Sequence, residues 1–148
     1  MNSNPENDLG FTGGQFEDFS GTAVLDELQE KLDDDDSTKY VLIKHDYYSS
    51  DSVHGRELLG SFLRNLCESS YKNIIVYLLD KGTLLLDESN PLYDEMLRLV
   101  DRAEMIIADK ESISADCLPD TVNGKLILRT TFSITEEIIY LTNLLILE

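Results

Sequence analysis

A chain of 148 residues, 42% hydrophobic and without tryptophan, is sized for one domain with a genuine core. Its formal charge of −17 argues against phosphate backbones and anionic lipid surfaces, so neither nucleic acid nor membrane is expected as a partner. Two cysteines, Cys67 and Cys117, with two histidines, His45 and His54, form neither a disulfide framework nor a spaced metal motif, so no metal is expected.

The charge is uneven. Residues 1–38 hold 11 acidic side chains against Lys31 alone, a net of −10, and the remaining 18 acidic and 11 basic residues supply −7. A basic protein partner fits this distribution, and a merely solvated surface fits it equally well. The start Met1-Asn2-Ser3-Asn4-Pro5-Glu6 has neither a basic nor an apolar block, and no stretch nears the ~20 apolar residues of a membrane span. A cytoplasmic location is the expectation.

Residues 1–20 mix Gly10, Gly13 and Gly14 with Phe11, Phe16 and Phe19 among polar residues, which reads as a loosely docked arm. Val24, Leu25, Leu28 and Leu32 recur at helical spacing and predict a short helix over Ala23–Leu32. It stops before Asp33–Asp36, because a helix C-terminus disfavours anions. That acidic run lacks the alternating ligands and glycine of a calcium loop.

Tyr40–Ile43 predicts a first strand, covered on both faces because it is continuously apolar. The polar loop His45–Ser52 leads into a helix over Ser52–Glu68. Ser52 caps it, Leu58, Leu59, Phe62, Leu63 and Leu66 face inward, and Gly60 suggests close packing on the sheet. Cys67 lies beside that stripe and reads as an inert thiol. Asn73–Leu79 is the clearest strand and ends in the loop Asp80–Thr83. Asn90 and Pro91 suit the N-cap and first position of a second helix, with Leu92, Met96, Leu99, Val100 and Ala103 as its buried stripe. Met105–Ala108 is a third strand opening into Asp109–Ser112, followed by a short helix over Ser112–Leu118. Leu126–Leu128 is a fourth strand, and Ser133 with Glu136 has the form of a capping box opening a last helix. Leu144–Leu147 fits an edge strand or a continuation of that helix.

Strands thus alternate with helices from residue 39 onward. The expected architecture is α/β, a three-layer α/β/α sandwich with a mostly parallel sheet of about five strands. The chain divides into an acidic arm, 1–38, and a domain, 39–148. Ligands in such sheets sit at the carboxyl ends of the strands, which nominates His45, Asp46, Ser49 and Ser50, with Asp80 and Asp109, as binding residues. No G-x-G-x-x-G and no G-x-x-x-x-G-K-[ST] occurs, so no cofactor is expected from those mechanisms.

Several of these segments also carry a family likeness. The residues are Val41–Ile43, Gly55-Arg56-Glu57-Leu58-Leu59-Gly60-Ser61-Phe62, Ile74–Leu79, Ala103–Ile107, and Lys125-Leu126 followed by Phe132-Ser133. From Tyr40 to about Leu141 the chain resembles the DsrE/DsrF-like superfamily, and within it the C-terminal domain of YedF-type, sulfurtransferase-like proteins. The resemblance implies the same sandwich fold, assembly into homo-oligomers, and a link to sulfur relay. Relay members carry a persulfide on a cysteine after the third strand, where a thiolate near helix N-termini is nucleophilic. Here that position is Ala108, and the nearest thiol downstream is Cys117. Asp109, Glu111, Asp116 and Asp120 around it oppose thiolate formation. The Cys-Pro motif of the YedF N-terminal domain is replaced by the acidic arm.

Two functions follow. One is a non-catalytic binding or assembly domain, with a protein partner or a neighbouring subunit engaged through the arm. The other is a sulfur carrier holding a persulfide on Cys117. Acid/base chemistry at His45, Asp46 and His54 is a third, weaker option, and no G-x-S-x-G elbow supports a hydrolase.

Overall fold

The computed structural model describes residues 37–148, so the helix expected over Ala23–Leu32 lies outside the described residues. The elements in chain order are β1 (Thr38–Ile43), α1 (Val53–Cys67), β2 (Asn73–Leu78), a 3-10 helix (Asp80–Leu86), α2 (Tyr93–Arg102), β3 (Met105–Asp109), α3 (Lys110–Ala115), β4 (Leu126–Arg129), α4 (Thr131–Ile138) and β5 (Leu144–Leu147). The five strands form one parallel sheet in the order β4-β3-β2-β1-β5. This is the α/β fold expected from the alternation of strands and helices. Leu144–Leu147 is a strand, seated beside β1 with Tyr40 opposite Leu144.

The topology explains the layers. From β1 to β4 each step moves the same way across the sheet, and right-handed crossovers put α1, α2 and α3 on one face. From β4 the chain returns past three strands to β5, which reverses direction and puts α4 on the other face. Side chains alternate accordingly. Val41, Ile43, Ile74, Val76, Leu78, Ile106 and Ala108 pack under α1 and α2 with Leu59, Leu63, Met96 and Leu99. Leu42, Tyr77 and Ile107 point the opposite way, towards Ile134 of α4.

Four local expectations are corrected. The second helix begins at Tyr93 rather than at Asn90-Pro91, although Asn90 Oδ1 still accepts from the Leu92 N–H at 2.9 Å. Asn90 therefore shapes the turn that precedes the helix. The short helix spans Lys110–Ala115 rather than Ser112–Leu118, because the Asp109 carboxylate caps it from the strand end by accepting from the Glu111 N–H. The last helix opens at Thr131, capped by Thr130, whose Oγ1 accepts from the Ser133 N–H at 3.2 Å. Ser133 is thus the residue being capped rather than the cap. Gly60 packs close to Leu92 at the start of α2 and not to the sheet, since a Cβ there would meet Leu92 Cδ2 at 3.1 Å. Ser52 caps α1 as its position suggests, its Oγ accepting from the Gly55 N–H at 3.0 Å. No helix among the described residues is long and apolar enough to cross a membrane.

Candidate functional site

Three segments leave the carboxyl ends of β1, β2 and β3: residues 44–52, the 3-10 helix with residues 87–92, and α3 with residues 116–119. The first is held tightly. The Tyr48 N–H donates to the Gly55 carbonyl at 2.9 Å, and the Ser50 and Ser52 hydroxyls meet at 2.8 Å. Arg56 donates to Asp51 at 2.6 Å and to the Ser52 carbonyl at 3.1 Å. The loop lies so close to α1 that a Cβ on Gly55 would overlap the Ser50 carbonyl, so only glycine fits there. Likewise a Cβ on Gly82 would overlap the Ile43 carbonyl, which seats the 3-10 helix against the end of β1.

The expected binding residues distribute over these segments as follows. The His45 ring stacks on Tyr47 with centroids 4.7 Å apart. Asp46 accepts from Asn90 Nδ2 at 3.0 Å, tying the first segment to the second. Ser49 and Ser50 are exposed, Ser49 with a left-handed φ of 74°. Asp80 is exposed at φ 50°, and its carbonyl accepts from the Thr83 hydroxyl at 2.8 Å. His54 faces Glu57 at 3.9 Å on the exposed side of α1. No hydrogen bond joins His45, Asp46 and His54 among the described residues.

Asp109 differs from the rest. It is 5% exposed, one of the few buried polar residues, and its carboxylate accepts from Thr131 Oγ1 at 2.6 Å, Ser112 Oγ at 2.9 Å and the Glu111 N–H at 3.3 Å. Burial of a carboxylate is tolerated because these donors replace water. The result is a cross-link between β3, α3 and α4. Glu111 adds to it by accepting from the Thr131 N–H at 3.1 Å, and that bond chiefly holds its carboxyl below the usual range. Thr131 Oγ1 also lies 3.0 Å from Glu111, yet its single proton serves only one carboxylate at a time.

The two thiols have different settings. Cys67 is half-buried, and desolvation pushes its thiol up, which suits an inert group. Cys117 is exposed, in a left-handed turn (φ 52°) that ends α3, and it shares a shallow recess with Leu86–Glu88. Lys81 approaches Asp116 at 3.7 Å and links the second and third segments there. A larger groove of about 330 Å³ runs between α1 and α2 beside Gly60 and Leu92. Its arginines are already engaged, Arg56 by Asp51 and Arg64 by Glu95 at 3.3 Å. Among the described residues no group of three or more His, Cys, Asp or Glu side chains is placed to hold a metal ion.

The feature that residue patterns missed lies on the α4 face. Large apolar side chains exposed there are Phe132 (75%), Ile139 (73%) and Tyr140 (79%), flanked by Ile127 (37%) on β4 and Ile146 (44%) on β5. Beneath α4, Tyr77 is fully buried, and its hydroxyl meets no hydrogen-bond partner in good geometry among the described residues. Burial, with Glu137 alongside, pushes that phenol well above its ordinary range, so it stays protonated. One signal was in the sequence. Ile138-Ile139-Tyr140-Leu141 is apolar at four successive positions, which cannot all face one side of a helix.

No protein-family model matches the chain, and no match was found among curated proteins. Among solved structures, the chain is similar to a conserved protein of unknown function, BT1422 from Bacteroides thetaiotaomicron. The similarity has a TM-score of 0.53 at 14% identity, and covers 74% of this chain and 95% of that one. A likeness at this identity speaks for the fold alone.

Proposed function

We propose that the domain of residues 38–148 is a non-catalytic binding or assembly module, related by resemblance to sulfur-relay proteins of the DsrE/DsrF-like type. One observation supports it above the others: a parallel sheet, which normally is covered on both faces, here has one face on which, among residues 37–148, a single short helix packs and several large apolar side chains stay exposed. The strand ends support the same reading from the other side, because Asp46 and Asp109 already accept hydrogen bonds from neighbouring side chains.

A second reading is a sulfur carrier at Cys117, favoured by the exposure of that thiol at the carboxyl end of the sheet. Its thiolate would attack the outer sulfur of a persulfide or thiosulfate donor. A Cys–S–S bond would form as the donor leaves as thiol or sulfite. Intact-mass measurement after incubation with thiosulfate or a polysulfide separates the readings. The binding module gains no sulfur atom. An adduct that disappears in Cys117→Ser replaces the binding module with the carrier.

A further inference from the structure

We infer that the groove between α1 and α2 is a binding site for a small zwitterion with an apolar side chain, a free α-amino acid of the leucine or phenylalanine kind. This goes beyond the binding reading and makes no use of the α4 face. The groove encloses about 330 Å³, at the lower end of the ~300–1,000 Å³ typical of small-molecule sites. Val53, Gly60 and Arg64 line it from one face of α1. Pro91, Leu92 and Glu95 line it from the approach to α2 and its first turn.

Gly60 sets this groove apart. A glycine inside a helix is less stable than alanine there, and so needs a reason. Gly55 and Gly82 have one, because a Cβ on either would overlap a backbone carbonyl, at 1.9 and 2.1 Å. At Gly60 the backbone is helical, and a Cβ would meet only the ends of two flexible side chains, Leu92 Cδ2 at 3.1 Å and Arg64 Nη1 at 3.3 Å. Small shifts of those ends would admit alanine. The fold does not demand bare backbone at this position. What the glycine provides is depth in the floor of the groove.

The walls define what fits that depth. Val53 and Pro91 leave apolar surface in solvent at the rim, and Leu92 continues it inward, so the body of the ligand is apolar. The charged lining is balanced, Arg56 and Arg64 against Glu57 and Glu95, which favours a ligand of no net charge. The net −17 of the chain also repels a simple anion. Arg64 and Glu95 meet across the groove through one contact of 3.3 Å near the surface, a pair of little worth on its own. That single contact leaves further guanidinium donors and a carboxylate oxygen without partners among the described residues. A carboxylate on Arg64 and an ammonium on Glu95 would use both groups in charge-assisted bonds. An α-amino acid carries these two ions on one carbon, with its side chain free to lie over Gly60 and Leu92.

The test titrates the full, isotope-labelled chain with L-phenylalanine and follows backbone amide shifts by NMR. Saturable shifts are expected at Val53, Gly60, Arg64 and Glu95. 3-Phenylpropionate and phenethylamine each lack one of the two charges and should bind at least about tenfold more weakly. Gly60→Ala fills the floor and should weaken binding by about as much, while the melting temperature holds or rises because alanine is the better helix former. Arg64→Gln should bring L-phenylalanine level with phenethylamine, and Glu95→Gln should bring it level with 3-phenylpropionate. If Gly60→Ala does not fold, these two variants decide. The proposal is overturned by a wild type without saturable shifts, by shifts confined to Phe132–Tyr140, by an analogue that matches the amino acid, or by folded variants that bind as wild type does. Each of these failures leaves the binding or assembly reading standing, since that reading rests on the other face of the sheet.

Discussion

The two faces of the sheet are made by the same five strands and the same kinds of residue, yet they end in different states. On the α1 and α2 side, twenty residues form one buried cluster that includes helix, sheet and the 3-10 segment. On the α4 side, the buried cluster has four members, ringed by partly exposed Tyr40, Ile75, Met105 and Leu144. The strands supply apolar side chains to both faces, so the difference arises from what the connections lay over them. Three crossovers step one way and stack their helices together, while among residues 37–148 the single return crossover alone lays a helix on the opposite face. Fold topology thus decides where burial is incomplete, and that is where an interaction surface is to be sought.

The largest effect that probes this contrast is truncation on the finished face. Leu63 on α1 is fully buried, and Leu63→Ala should cost about 3–4 kcal/mol in denaturant unfolding through lost transfer energy and a cavity. Ile127→Ala, on the unfinished face with its side chain 37% exposed, should cost under ~1 kcal/mol under conditions that keep the chain monomeric. Equal losses at the two sites would mean that the faces are not energetically distinct.

Tyr77→Phe sharpens the same comparison with an effect of opposite sign. Among the described residues the buried Tyr77 hydroxyl has no hydrogen-bond partner, and a group that has given up water without gaining one costs about 1–3 kcal/mol. Its removal leaves the ring packing on Leu42 and Ile134 intact, so stability should rise by about 1 kcal/mol, seen as a higher denaturant midpoint at constant slope. A fall of that size would show the hydroxyl bonded, with Glu137 alongside as the acceptor.

Much of the scaffold was legible because period and burial agree. Tyr40–Ile43 and Asn73–Leu79 are apolar on both sides because the α1 and α2 layer packs on one side and α4 packs over Leu42 and Tyr77 on the other, and Leu59, Leu63 and Leu66 repeat at helical spacing because one stripe is buried. The helix starts were less legible, since Asn90 and Ser133 carry good capping side chains that serve turns and first-turn amides instead. The environments of the expected site residues depend on long-range partners that spacing does not encode. Asp109 meets Thr131 across 22 residues, and Asp46 meets Asn90 across 44. The exposed face left only the apolar run Ile138–Leu141 as a sign, for a related reason. Phe132, Ile139 and Ile146 look like core residues until the strand order shows that nothing else in residues 37–148 comes back to cover them.

The smallest effect concerns how α4 is fastened at its start. Glu111 accepts from the Thr131 N–H in the first turn of α4, where the exposed amides and the helix dipole both favour an anion. That bond lowers the Glu111 pKa in the folded state relative to the unfolded value of ~4.3. A depressed carboxylate stabilises the fold above its unfolded pKa, and the contribution fades as pH falls through the folded pKa. Glu111→Gln should therefore lower the melting temperature slightly at neutral pH, and the gap to wild type should close as the pH drops below ~4. Thermal melts at a series of pH values follow this directly. A gap that widens on acidification would mean that the carboxylate, set beside Asp109 and competing for the same Thr131 hydroxyl, loosens α4 when charged rather than fastening it.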